Sequence, residues 1–365
     1  MHVTCHLGPD QDFYHQSHLH TGLSLLAEDG ALDLRIAPPP PDQPHYSQGG
    51  WTMLHIEVPG QPLRRAAIDT VDRSDEFSLP LAAEADVYLK RSYYSPDLNR
   101  LAPELRAKVI PYGLNYACRS RTQTRRVLQA AGPALVQRVL QSVYANPQAL
   151  AGAWQRFRQF QVIPDWTSFE LPPRQPAEAV ILFQTRLWDP AVVFPDNGEL
   201  VNRERVELLR ALRCEFPRQF RGGLAPDPYA RKHYPDLLAT EAFRHREFIA
   251  FGKRFAIGIY TRGLHQSDAF KLPEYLASSK AILAEPFRNT LAAPLRAGEH
   301  YLAFTDVDSC LAHCERLLRN PRELAELRAG AWEYYVNHVR PRAHIADCLR
   351  RALPTAAQAT ALDPL

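Results

Sequence analysis

The chain has 365 residues, with 43 Lys+Arg against 40 Asp+Glu, 45% hydrophobic and 23% charged, the balance of an ordinary soluble globular protein. A net charge of +3 is too small to argue for nucleic acid by itself, and none is expected as a partner; no apolar run approaches the ~18 residues of a membrane span. The opening Met1-His2-Val3-Thr4-Cys5-His6 has no secretory pattern, and six scattered cysteines do not make a disulfide scaffold, so reduced thiols in a cytoplasm are expected.

Short apolar runs alternate with helical patterns along the first third, as in a parallel sheet with crossover helices. Strands are expected at Met1–Leu7, Leu32–Ala37, Thr52–Val58, Ala66–Val71, Asp86–Lys90 and Lys108–Pro111, with a helix over Leu19–Asp29. Prolines 38–41 and 44 close the second strand. Arg125–Val143 has a helical pattern interrupted by Gly132-Pro133, and it reads as part of a connection ending in the proline-rich Leu171–Pro176.

The second half repeats the alternation. Ala179–Phe183 is short and wholly apolar, which suits a strand buried on both faces. Strands are expected at Phe220–Ala225, Arg254–Tyr260, Ala281–Glu285 and Tyr301–Phe304. Between and after them come helices over Arg203–Cys214, Thr240–Ala250 and Glu274–Ser279, one from about Thr305 to Asn320, then Pro321–Ala329 and Ala331–Leu349. Cys310 and Cys314, four apart on a helical pattern, read as core thiols. The chain thus predicts two Rossmann-like, doubly wound α/β domains: residues 1–118 and 177–330. Residues 119–176 would connect them, 331–352 would form a final crossing helix, and 353–365 a mobile tail.

In such sheets ligands sit beyond the carboxyl ends of the strands, so the loops there matter most. Neither G-x-G-x-x-G after the first strand nor G-x-x-x-x-G-K-[ST] is present, which argues against an NAD enzyme and a P-loop ATPase. The stretch Gly258 to Ala277 reads as strand, glycine-containing turn and helix. Arg262 and Lys271 would put full charge beside a phosphate there, and Glu274 could accept from two ribose hydroxyls. A capped surface helix accounts for the same spacing.

Upstream, His15, His18 and His20 fall within six residues, yet no cysteine or carboxylate completes a zinc pattern. Asp69-Thr70-Val71-Asp72-Arg73-Ser74-Asp75 concentrates carboxylates after another strand, either as a catalytic base at Asp72 or as a solvated turn. Lys90, Arg91, Tyr112 and Asn115 also follow strands and suit an acceptor or an ordinary domain interface. Arg119, Arg121, Arg125 and Arg126 form a basic cluster that could rest on anionic lipid or simply be solvated.

From Arg262 to Pro341 the sequence resembles the C-terminal half of nucleotide-sugar-dependent glycosyltransferases of GT-B fold. The resemblance is carried by Lys271-Leu272-Pro273-Glu274-Tyr275-Leu276-Ala277-Ser278-Ser279-Lys280-Ala281-Ile282-Leu283, Gly298-Glu299-His300-Tyr301-Leu302-Ala303-Phe304 and Trp332-Glu333-Tyr334-Tyr335. It implies two domains facing across a cleft, a nucleoside-diphosphate sugar as co-substrate in the second, and a glycan, glycolipid or small-molecule hydroxyl acceptor in the first. Glu274 falls on the family's ribose-binding glutamate, while the family's second glutamate, eight positions earlier, is replaced by Gln266. Gly263, His265 and Gln266 would then face the donor, and Arg186, just after Ala179–Phe183, matches a phosphate-binding position.

The resemblance also implies a histidine base on the acceptor hydroxyl near the first helix, for which His18 or His20 is expected. Arg186 and Lys271 would stabilise the leaving diphosphate, so that no metal is required for that charge and no cofactor is expected. Two alternatives stand beside a transferase: a nucleotide-sugar epimerase on the same fold, and a non-catalytic binding subunit that the Gln266 replacement keeps open.

Overall fold

A computed structural model describes residues 1–365 except 9, 124, 127–161, 193–194, 242–243 and 355–365. Beyond Arg125 and Arg126, the helix expected over Arg125–Val143 therefore lies outside the described residues, as does most of the tail. The chain divides into two compact units. Unit 1 is Met1–Trp166 with Thr290–Ala293 and His338–Leu365; unit 2 is Thr167–Asn289 with Pro294–Asn337.

Unit 1 is built on β1 (His2–His6), β2 (Asp33–Ala37), β3 (Ser47–Gln48), β4 (Trp51–Glu57), β5 (Arg64–Asp69), β6 (Val87–Lys90) and β7 (Val109–Pro111). They lie in the order β2-β1-β4-β5-β6-β7, with β3 paired to β4. The sheet is mixed rather than purely parallel, because β4 runs antiparallel to both β1 and β5. Only Val58–Leu63 separates β4 from β5. A parallel return needs a crossover of a dozen residues or more, so this connection can close only a hairpin.

Alternation sorts the unit 1 sheet into two faces. Val3, Cys5, Leu54, Ile56, Ala66, Ile68, Val87 and Leu89 share one core with Leu19, Leu23, Leu26, Ile345 and Leu349. Met53, Ala67, Tyr88 and Val109 share a second core with Leu81, Ala82, Leu98 and Leu101. The first core is closed by α1 (Phe13–Glu28) and by the last helix of the chain, Pro341–Ala352. Helix α1 starts at Phe13, well before the expected Leu19, because the Asp12 carboxylate caps it by accepting from the amides of Tyr14 and His15. Where one helix was expected over Ala331–Leu349, a helix ends at Tyr334, a π turn spans Tyr335–Val339, and a new helix opens at Pro341. Proline lacks the N–H to continue a helix but fits its first turn.

Unit 2 is a five-stranded sheet of β8 (Glu178–Thr185), β9 (Phe220–Leu224), β10 (Phe255–Tyr260), β11 (Ala281–Ala284) and β12 (Leu302–Ala303). All its pairings are parallel. The order β12-β11-β10-β8-β9 is the doubly wound 2-1-3-4-5 arrangement, with its reversal between β8 and β10. Its core joins Ile181, Phe183, Ile257, Ile259, Ala281 and Leu283 to Leu208, Leu209 and Leu212 on one side of the sequence and Cys310, Cys314 and Leu317 on the other. Cys310 and Cys314 are fully buried free thiols, as expected of core residues.

Candidate functional site

A doubly wound sheet opens a crevice at its switch point because consecutive crossovers leave there in opposite directions. In unit 2 that point lies between the carboxyl ends of β8 and β10, adjacent parallel strands. Arg186 follows β8 directly, and Thr261 to Phe270 link β10 to a short helix, Lys271–Ala277. The residues expected around a donor therefore gather on two neighbouring loops.

Those loops are tied together by a residue that no sequence motif singles out. Arg205, on the helix Pro195–Glu215, is 4% exposed. Its guanidinium donates to the carbonyls of Arg186 and Arg262, each at 2.7 Å, and to the Thr261 hydroxyl at 3.0 Å. It also stacks over Trp188 at 4.4 Å. Burial lowers its pKa to about 10, so the charge persists at neutral pH. The only sequence signal for it is a charged residue inside the apolar pattern of that helix.

Arg186 is exposed, and its guanidinium has no hydrogen-bond or ion-pair partner among the described residues. Arg262 differs. Its guanidinium is clamped by Glu204 at 2.6 Å and Glu285 at 2.9 Å, and its amide donates to Glu285 at 2.7 Å. Two carboxylates thus neutralise the charge that was expected to sit beside a phosphate. Arg262 instead fastens the loop to β11, which Glu285 follows.

The loop itself is strained. His265 and Gln266 occupy left-handed backbone conformations, at φ 56° and 61°, and Ser279 is the one other non-glycine residue to do so among the described residues. Two such residues in succession cost free energy, and strain of this kind concentrates where a ligand is held. Gly263 lets the loop close: its amide donates to the Ser267 carbonyl at 2.9 Å, and a Cβ there would meet Ser267 Oγ at 2.6 Å. Asn289 braces the loop by donating to the carbonyl of Gln266 at 3.3 Å and to Asp268 at 3.1 Å.

Glu274, in the first turn of Lys271–Ala277, is 7% exposed. Its Oε1 accepts from His245 Nε2 at 2.8 Å, and Lys271 Nζ stands 3.5 Å from Oε2. Burial would raise the carboxyl pKa, but the Lys271 and His245 charges outweigh it and the net shift is downward. Burial also lowers Lys271 below its ordinary value, against the pull of Glu274, and the like charge of Arg186 adds to that. Lys271 rests on the Phe248 ring, 3.4 Å from its centre. Beside Glu274 lies a cavity of about 20 Å³, room for about one water, bounded by Phe169, Phe248, Tyr275 and Lys280 among others.

The carboxyl edge of unit 1 holds the other expected residues, and burial corrects several of them. Because α1 begins at Phe13, His18 and His20 fall inside it and are 0% and 1% exposed. His18 Nε2 donates to the Val339 carbonyl at 3.0 Å, and His20 pairs with Gln11 at 3.0 Å. Burial holds His18 well below its usual range and lowers His20 to about 4. Neither ring can meet an acceptor hydroxyl. Lys90 is also wholly buried, its ammonium between Asp69 at 2.9 Å and the Glu76 carbonyl at 2.7 Å, so it cannot touch an acceptor either.

Tyr112 is a core residue whose ring packs on His344 at 4.5 Å. Asn115, 1% exposed, donates to the carbonyl of His15 at 3.0 Å and so positions the start of α1. Arg91 is 3% exposed and pairs with the half-exposed Asp72. A base at Asp72 would have to work from that ion pair.

Of His15, His18 and His20, His15 reaches solvent, with a side chain one-third exposed. Its Nδ1 lies 2.7 Å from Asp12 Oδ2, while Oδ1 of the same carboxylate caps α1. The sequence signal was an aspartate three residues before a histidine at a helix start, the spacing of a capping box. Of the basic cluster, Arg121 and Arg125 are exposed and Arg119 is half-buried. Among the described residues no helix is long and apolar enough to cross a membrane, and no three His, Cys, Asp or Glu side chains group as a metal would need.

No protein-family model matches the chain, and no curated protein matches it in sequence. Solved structures do resemble it. A glycosyltransferase from Rickettsia africae shares 9% identity at a TM-score of 0.40, covering 90% of this chain and 78% of that one. The UDP complex of Alr3699/HepE from Anabaena shares 12% identity at 0.35, covering 90% and 89%. The C-terminal domain of a glycosyl transferase group 1 family protein (LpcC) from Francisella tularensis shares 11% at 0.33, covering 47% of this chain and 96% of that domain. The chain is thus similar to glycosyltransferase structures at low identity and low TM-score, and what it does must be argued from its own residues.

Proposed function

We propose that the chain is a glycosyltransferase that moves a sugar from a nucleoside-diphosphate sugar to a hydroxyl acceptor. The observation that carries this reading is the set at the unit 2 switch point: an exposed Arg186 directly after β8, and Lys271 3.5 Å from the Glu274 carboxylate in the helix that follows the β10 loop. Two cations suit a diphosphate, and a carboxylate next to them suits ribose hydroxyls. As the acceptor oxygen bonds to the anomeric carbon, the bond from that carbon to the diphosphate oxygen breaks and its electron pair leaves with the diphosphate. Arg186 and Lys271 meet the developing charge without calling on a metal ion.

Within unit 1, His15 is the histidine best suited to take a proton from a hydroxyl. Its Nδ1 lies 2.7 Å from Asp12 Oδ2, which holds the ring in one orientation. Alr3699/HepE has been solved with UDP and with UDP and glucose, which makes UDP the first nucleotide to try on this chain.

Thermal unfolding with UDP, GDP, ADP and CDP tests the donor half. A nucleotide at about 100 times its Kd stabilises the folded protein by ~2.7 kcal/mol. That shift should appear with one nucleotide and vanish in Arg186→Ala, Lys271→Ala and Glu274→Ala. No shift with any of the four removes the donor reading.

A further inference from the structure

The helix His245–Gly252 belongs to none of the motifs that carry the donor site, yet it reaches the Lys271–Glu274 pair twice. His245 donates Nε2–H to Glu274 Oε1 at 2.8 Å, and Phe248 carries the Lys271 ammonium on its ring at 3.4 Å. Phe169 meets the His245 imidazole edge-on, ring centres 5.8 Å apart. The two carboxylate oxygens are therefore unequal. Oε1 is committed to His245, whereas among the described residues Oε2 makes no hydrogen bond, with Lys271 Nζ 3.5 Å away. A buried carboxylate oxygen left without a donor is costly, and a ligand hydroxyl would relieve that cost.

We infer that His245 is the positioning residue of the donor site, holding Glu274 by Oε1 so that Oε2 is presented to a ribose hydroxyl. The inference rests on the nucleotide reading above. Once a diphosphate draws Lys271 toward itself, Oε2 becomes the acceptor that a ribose can engage without breaking an existing bond. Without His245 the carboxylate can rotate about its terminal torsion, and either oxygen can turn toward Lys271. Among the described residues the charged groups on Glu274 are Lys271 from its own helix and His245 from the helix packed beside it, and its charge also acts on the Tyr275 phenol.

The test compares Kd values for UDP, GDP, ADP and CDP with those for their dideoxyribose analogues, at fixed pH, in full-length protein. In the wild type the preferred ribonucleotide should bind about tenfold or more tighter than its dideoxy form, the size of a hydrogen bond to a charged group. His245→Ala should bring that ratio close to one while leaving dideoxy binding nearly unchanged. His245→Gln, which keeps an N–H near the Nε2 position, should restore the ratio. In a Glu274→Gln background His245→Ala should change it no further.

A ratio that survives His245→Ala overturns the inference, and so does an equal loss of both ligands, which would make His245 merely structural. If the wild type binds none of the four nucleotides, the donor reading itself fails first. That outcome is distinguishable because it precedes any effect of the variants.

Discussion

Unit 1 and unit 2 place charged and titratable residues at the same carboxyl edge of a sheet, but they dispose of them in opposite ways. In unit 1 His18, His20 and His344 lie inside the core, and the Lys90–Asp69 pair is wholly buried. In unit 2 the corresponding segments keep charge nearer the edge: Arg186 is exposed, Arg262 lies between two carboxylates, and a partly exposed Lys271 stands beside the buried Glu274. A polar residue after a strand stays at the edge, as Arg186 does, where the next helix starts beyond it. When the helix starts early, as α1 does at Phe13, the same residues are carried under its buried face.

The largest effect that could break this contrast concerns the buried pair of unit 1. Lys90→Met removes the partner of a fully buried Asp69 and should cost about 3–5 kcal/mol in urea unfolding, because the carboxylate is left uncompensated. Adding Asp69→Ala should recover much of that loss. A single variant near neutrality would mean that the pair is solvated and the contrast is wrong.

Acid should come next. Burial lowers His20 and His344 to about 4 and holds His18 well below its usual value. Unfolded histidines take up protons near pH 6.5, so between about 6.5 and 4 the unfolded state binds more protons and stability falls with pH. At ~1.4 kcal/mol per unit, His20 and His344 each withdraw about 3 kcal/mol by pH 4. Single-tryptophan variants keeping Trp51 of unit 1 or Trp188 of unit 2 can follow the two units separately. Unit 1 should lose structure at the higher pH; one shared transition would erase the distinction.

The smallest effect sharpens the unit 2 site. Arg262→Gln removes the clamp on Glu204 and Glu285 and should lower stability by about 1–3 kcal/mol. Nucleoside diphosphate affinity should stay within about threefold. A larger loss of affinity at unchanged stability would return Arg262 to the phosphate.

The switch point and most of the donor set were legible because they depend on local signals. Apolar runs bounded by breakers mark β8 and β10, and the Lys271 to Leu283 stretch has a recognisable composition. The antiparallel β4 was legible too, had the short Val58–Leu63 link been weighed against a crossover. Arg205 and His245 were not, since each acts through a contact dozens of residues away: Arg262 for one, Glu274 for the other.

The sequence by itself determined where strands and helices alternate, that the chain makes two α/β units, and which loop carries Lys271 and Glu274. Those follow from periodicity, proline and glycine placement, and charge, all of which act within a few residues. Tertiary structure alone decided that His18, His20 and Lys90 are buried, that Arg262 lies between two carboxylates while Arg186 is exposed, and that Asp12 holds His15. The reason is physical: burial and protonation are set by neighbours distant along the chain, and residue type does not name those neighbours.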